Sequence, residues 1–277
     1  MAIKVSRYGE IIRFDLARNF AGKGRYWTTC YYLDGVLIDS GCAHTSKELC
    51  AALSEYPLHT ILHTHSHEDH IGADRRLLVQ NPGVCIAAHP EALPVLTDPY
   101  KYQPLHPYRQ LYWGWPQTVA AQALRDGEMI TTERFKLQVI YTPGHSQDHL
   151  CIYEAEQGWL FSGDLFVGGQ DRACRNDTDM WLLVSSLKRM AALELQILFP
   201  GCARMRQSPL DDLNAKIEYY ERQGSRICDL HNAGRSENQI VQQVCGGPMW
   251  IEFVTLGHFS RKWLVRSYLD DRGISRG

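Results

Sequence analysis

The 277-residue sequence predicts a layered α/β fold ending in a small helical appendage. Three observations carry this reading. Short apolar strand-like runs alternate with helical stretches as far as Cys202, clusters of turn-forming residues separate them, and only helical patterns follow Ser208.

Residues 27–33 and 36–38 read as β-rich runs joined by Asp34-Gly35, a dipeptide suited to a tight hairpin. Asp39-Ser40-Gly41 closes the second run. Residues 46–54 have helical composition, Pro57 breaks them off, and 58–62 form a short apolar strand. A further helix is expected from Gly72 to Gln80, stopped by Asn81-Pro82-Gly83, before a strand at 84–88. Between about 90 and 117 the character changes, because Pro94, Pro99, Pro104, Pro107 and Pro116 interleave with tyrosines and tryptophans. This marks an insertion rather than a core element. Two readings stand: a cap whose aromatic faces, Tyr112 and Trp113 among them, line a substrate pocket, or a self-packed surface loop. Strands return at 135–141, 150–153, 159–162 and 197–199, with a helix at 180–193. Helical patterns at 210–223, 236–244 and 258–269 then form the appendage, so the expected domains are 1–207 and 208–277. Arg261, Lys262 and Arg266 on the last helix read as a solvated face rather than a nucleic-acid footprint.

Composition narrows the function classes. Hydrophobic residues at 44% and charged residues at 22% argue against disorder, and no apolar run reaches the roughly 18 residues of a bilayer span. The opening residues lack a basic-then-apolar signal pattern, so a cytoplasmic protein is expected. A net charge of -2 supplies no overall field for polyanions, which favours a small-molecule substrate over nucleic acid or a membrane. A homo-oligomer stays open. The 9 cysteines contain no CxxC pair and fit reduced, mostly buried thiols.

One stretch organises the rest: His63-Thr-His-Ser-His-Glu-Asp-His-Ile-Gly72. Alternate residues of an extended segment point the same way, so His65 and His67 suit one cation, while Asp69 and His70 turn towards a second.

Read in order, His65-x-His67-x-Asp69-His70, Thr142-Pro-Gly-His145 and Ser162-Gly-Asp164 resemble the metallo-β-lactamase-fold hydrolases, in particular their glyoxalase II-like and endoribonuclease-like branches. The resemblance covers approximately residues 25–203 and includes Leu37-Ile-Asp-Ser-Gly41 and Leu198-Phe-Pro-Gly201. It implies a four-layer αβ/βα sandwich of two mixed sheets with helices outside and metals at one edge. It also implies that His65, His67 and His145 hold the first metal, that Asp69 and His70 hold the second, and that Asp164 bridges them. Two Zn²⁺ ions are the implied cofactor, with one Zn²⁺, Fe or Mn as alternatives. Where the family usually has Pro-Gly-His, this chain has Pro200-Gly201-Cys202, so Cys202 either replaces an imidazole ligand as thiolate or is a small buried residue. Gly163–Gly169 is similar to the stretch after the bridging aspartate in glyoxalase II-type thioesterases, and Arg172 and Arg175 after it either bind a substrate carboxylate or are ordinary surface arginines. His149 is expected to orient the loop bearing His145, and His44, His63 and His89 to be supporting residues.

The implied activity is hydrolysis of an ester, thioester or lactone by a metal-bound hydroxide, with Asp69 orienting the nucleophile. Alternatives are cleavage of single-stranded RNA, mononuclear iron sulfur dioxygenation, and a catalytically impaired metal-binding sensor.

Overall fold

The computed structural model describes residues 2–20, 22–103 and 106–270. Pro104 of the proline-rich stretch and 271–277 of the expected appendage lie outside the described residues. The chain forms two compact units. One gathers Met1–Thr142, Asp148–Gly168 and Glu194–Pro209; the other gathers Pro143–Gln147, Gly169–Leu193 and the chain from Leu210.

In the first unit, a seven-stranded sheet runs in sequence order through β1 (Ala2–Tyr8), β2 (Ile11–Phe20), β3 (Lys23–Leu33), β4 (Val36–Ile38), β5 (Thr60–Leu62), β6 (Cys85–Ala88) and β7 (Gln122–Ala123). Its first strands pair antiparallel, whereas β4 to β7 pair in parallel. The second sheet has five strands in the order β13 (Ile197–Pro200), β11 (Trp159–Gly163), β10 (Leu150–Glu154), β9 (Lys136–Tyr141) and β8 (Met129–Thr131), with β11 and β13 parallel. The β3–β4 hairpin turns at Asp34 and Gly35, both with positive φ, as the dipeptide predicts.

Strand periodicity sorts the core into layers. Leu37 pairs with Ile61 and Ile61 with Ile86, so all three point to one face. There they meet Leu49 and Leu53 of α1 (Ser46–Leu53) and Leu77 of α2 (Asp74–Gln80). One residue along, Ile38 and Leu62 face the other way, into a core shared with Leu137, Val139, Ile152, Phe161 and Phe199 of the second sheet. Cys151, Leu160 and Leu198, on the alternate face of that sheet, are also fully buried. The fold is thus the mixed α/β arrangement of two sheets with flanking helices, and a helical C-terminal region follows it.

The proline-rich stretch contains α3 (Leu93–Thr97), α4 (Pro99–Tyr102) and α5 (Pro107–Tyr112), each with proline in its first turn, where the missing N–H costs nothing. It is not wholly an insertion, because Leu96 within it and Val119 just after it belong to the core beneath the first sheet. Strands β1 and β2 had no counterpart in the sequence reading; most of β1 is exposed and charged at Lys4 and Arg7, which hides its pattern.

The second unit contains α6 (Met180–Ala191), α7 (Pro209–Asn232), α8 (Glu237–Val244), α9 (Trp250–Val254) and α10 (Arg261–Leu269), with β12 (Cys174–Arg175) paired to β14 (Phe259–Ser260). Met180 N donates to Ser267 Oγ at 2.8 Å and Trp181 Nε1 to Tyr268 O at 3.1 Å, tying α6 to α10. Helix α7 continues past Gly224 because that glycine admits Tyr268 and Trp181, each within 2.8 Å of where a Cβ would stand. Its role is close packing, not termination. The cations of α10 face carboxylates: Arg261 meets Glu252 at 2.9 Å, and Arg266 and Lys262 meet Glu237 at 2.7 and 3.8 Å. Among the described residues no helix is long and apolar enough to cross a membrane.

Phe161 stacks on Phe199 with centroids 4.9 Å apart and is fully buried. Replacing Phe161 by Ala is expected to cost about 3–5 kcal/mol of stability, seen as a lowered denaturant midpoint with an unchanged slope.

Candidate metal centre

The donors stand on loops at strand ends, where backbone can turn outwards while the sheets behind hold it rigid. Parallel pairing of Ile38 with Leu62 ends β4 and β5 side by side, so Asp39 leaves one strand next to His63 and Thr64 leaving the other. Asp39 is 2% exposed. Its Oδ1 accepts from Thr64 N at 2.8 Å, and its Oδ2 accepts from both Thr64 Oγ1 and His70 Nδ1 at 2.8 Å. Burial pushes this carboxyl up, but the His70 and His63 imidazoles outweigh it and hold the pKa at about 2. His63 lies between two buried carboxylates, with Nε2 2.8 Å from Asp74 Oδ2 and Nδ1 3.7 Å from Asp39 Oδ1. Burial disfavours charge on that ring; Asp74 and Asp39 prevail and raise it to about 9. His63 is therefore a supporting group, as expected.

This network fixes tautomers. Burial disfavours charge on His70, but Asp39 and Asp164 hold its pKa well above the usual imidazole range, so a metal would bind by displacing the Nε2 proton while Nδ1–H stays on Asp39. That Nε2 is buried with no hydrogen-bond partner among the described residues, 3.6 Å from Asp164 Oδ2 and 3.8 Å from Asp69 Oδ2. The Thr64 hydroxyl spends its proton on Asp39, so it accepts from His65 Nδ1 at 3.0 Å, leaving His65 Nε2 as an acceptor. His65 Nε2 stands 2.9 Å from His67 Nδ1, a spacing at which two ring nitrogens share one proton or one cation. Asp164 follows β11, and its N–H donates to His149 Nε2 at 3.2 Å, while His149 Nδ1 bonds Thr142 Oγ1 at 2.9 Å. The His149 ring thus orients Asp164 and, with its backbone O accepting from Thr142 N at 2.9 Å, closes the loop bearing His145 as expected.

His65, His70 and Asp164 each present a donor atom, all within 4.8 Å of one another. Two glycines make the space. Gly163 has φ +48°, and a Cβ there would stand 2.7 Å from His149 Nε2 and Thr64 Oγ1; a Cβ on Gly201 would stand 2.9 Å from Asp164 Oδ1 and His70 Cε1. An orphaned buried imidazole nitrogen, a neighbouring carboxylate and space without side chains fit a divalent metal such as Zn²⁺ or Fe²⁺.

Other expected residues are placed as follows. Cys202 is half-buried, next to Gly201 but outside that three-residue cluster. His145 belongs to the second unit, where Asp179 N donates to Gly144 O at 2.8 Å and Ser186 Oγ to Pro143 O at 2.7 Å. Arg172 is exposed in the same unit, beside Asp171, which binds Lys216 at 2.7 Å. Tyr112 packs edge-on against Phe20 and Tyr26, at 5.1 and 4.4 Å. His44 contacts Gln110 O at 2.9 Å, and His89 caps a short turn before α3, so neither stands in the cluster. The sequence reading gave no role to Asp39, Thr64 or Asp148, whose Oδ2 accepts from Ser66 N at 2.8 Å. A signal existed for Asp39, in the polar residues that close β4.

The two-sheet fold places this His/Asp cluster, a candidate metal centre, at the ends of its strands. The chain belongs to the Metallo-beta-lactamase superfamily, whose sequence signature matches residues 28–202. It is 26% identical over 210 residues to the atrochrysone carboxyl ACP thioesterase of Aspergillus fumigatus, covering 74% of this chain and 59% of that protein. It is 33% identical over 151 residues to the hydroxyacylglutathione hydrolase of Legionella pneumophila, covering 53% of this chain and 49% of that one. The chain therefore spans about half to three fifths of the length of these relatives. A metallo-beta-lactamase family protein of Thermus thermophilus superimposes with a TM-score of 0.66 at 18% identity, over 95% of this chain and 91% of that one.

Because Asp39 orients both His70 and, through Thr64, His65, Asp39→Asn is expected to weaken zinc binding by about 10–100-fold, measured by chelator competition. The far-ultraviolet circular dichroism should stay as in the parent.

Proposed function

We propose that the protein is a metal-dependent hydrolase of a small-molecule carboxylic thioester, ester or lactone, with thioesters the foremost class. The observation that carries this is the buried cluster of His65, His70 and Asp164, whose lone pairs are set by Asp39, Thr64 and His149. The relatives support the choice of bond, since two of them are a thioesterase and a hydroxyacylglutathione hydrolase. We assign His67 to the same centre through its contact with His65, and Asp69 through its approach to His70. His145 completes it. Cys202 takes the place of the family's usual imidazole.

A bound zinc pair would supply Lewis acidity towards a carbonyl and a hydroxide nucleophile near neutral pH. The residues supply the rest. Asp69, 16% exposed and so reachable by solvent, orients the attacking group and passes its proton to the leaving group. Tyr112 and Trp113 offer a flat apolar wall. Arg172 is the partner for a substrate carboxylate.

A second reading has its own observation. His65, His70 and Asp164 form a two-histidine, one-carboxylate set, which suits a single iron and persulfide oxygenation. The paired cations of α10 remove the main support for an RNA substrate.

Metal analysis followed by a panel of thioesters, lactones, phosphodiesters and persulfides separates these readings. Two zinc per chain with thioesterase turnover is expected; one iron with oxygen consumption favours the second. His67→Ala and Asp164→Ala should each lower thioester turnover by more than about 100-fold with the fold retained. Unchanged turnover in metal-verified samples would refute the assignment.

A further inference from the structure

We propose that the buried pair Glu68–Arg109 is a positioning device that fixes the aromatic wall of residues 90–117 in register with the loop carrying the metal donors. The inference rests on the metal-centre reading above. Glu68 lies inside the donor run, between His67 and Asp69, yet its carboxylate is directed elsewhere. Both side chains are 1% exposed, and Arg109 binds through its fork, Nε to Oε1 and Nη2 to Oε2.

Stability does not account for such a pair. Two charges moved out of water lose several kcal/mol of hydration each, and buried pairs replaced by apolar groups of similar volume often leave a protein as stable or more so. What a forked guanidinium–carboxylate contact adds is direction, since both bonds form at one relative orientation. Its effect here is specific because of where each partner stands.

On the loop side, Gln103 Nε2 donates to Ser66 O while Arg109 holds Glu68. Anchored positions 66 and 68 thus alternate with donor positions 65, 67 and 69, so the loop is gripped at the residues between its donors. With both oxygens engaged by Arg109, the Glu68 carboxylate is also kept from competing as a metal ligand. On the other side, Arg109 belongs to α5, and Tyr112 and Trp113 follow it by three and four residues, on the same side of a helical turn. Trp113 O accepts from His44 N at 3.1 Å, and Tyr112 rests on Phe20 and Tyr26. The wall is therefore held by the first sheet's hairpin on one flank and by the donor loop on the other.

The test uses the full chain with zinc and without substrate, comparing the parent, Arg109→Lys and the double variant Glu68→Met/Arg109→Met. The apolar pair removes both charges together, so no lone charge is left buried. Zinc affinity is read by chelator competition, and the hold on the wall by the rate of limited proteolysis within residues 98–113. The double variant should fold, lose about tenfold in zinc affinity and be cut about tenfold faster there; Arg109→Lys, which keeps the charge but not the fork, should fall between. Parent-like affinity and protease resistance in the folded double variant would overturn the proposal. If the double variant does not fold, parent-like values for Arg109→Lys overturn it instead. A parent chain that binds no zinc would defeat the metal-centre reading; the proteolysis comparison would still decide whether the pair holds the wall.

Discussion

One buried anion sets the terms for the centre. Asp39 leaves β4 with its carboxylate enclosed, and enclosure without partners would cost several kcal/mol. The remedy is a ring of donors, the Thr64 amide and hydroxyl and the His70 imidazole, with His63 alongside. Satisfying the anion uses the Nδ1 proton of His70 and leaves its Nε2 facing Asp164 and Asp69. Donor chemistry is thereby decided one contact before any metal arrives. That contact depends on the parallel register of β4 and β5, which sets Ile38 beside Leu62.

The sheets make the same choice at larger scale. Core side chains alternate between the helix-facing and sheet-facing layers, and each donor-bearing loop begins where that alternation stops. His149 performs for Asp164 what Asp39 performs for the histidines, using a backbone amide in place of a ring. The centre is therefore built from pairs, a donor and the group that aims it, with the aiming groups set in rigid strand ends.

Much of this was visible in the residues themselves. The donor run, the strand ending at Asp164 and the hairpin at Asp34-Gly35 are local patterns, and local patterns survive in one dimension. What escaped notice is pairing across distance. Asp39 is an ordinary strand-ending acid until Thr64 and His70 arrive from a loop more than twenty residues later. The His149 ring does brace the His145 loop through Thr142, but nothing in the sequence shows that it also meets the amide of Asp164. Glu68 and Arg109 are residue types normally found in water, so their burial is unreadable without the fold. Strand β1 fails for the opposite reason: an edge strand with one wet face carries too few apolar residues to announce itself.

The chain passes between its two compact units repeatedly, leaving the first at Thr142, Gly168 and Pro209 and re-entering it at Asp148 and Glu194. A break at any single crossover would divide at least one of the units, and loss of the chain after Pro209 would leave the segment with His145 and helix α6 without the rest of their unit.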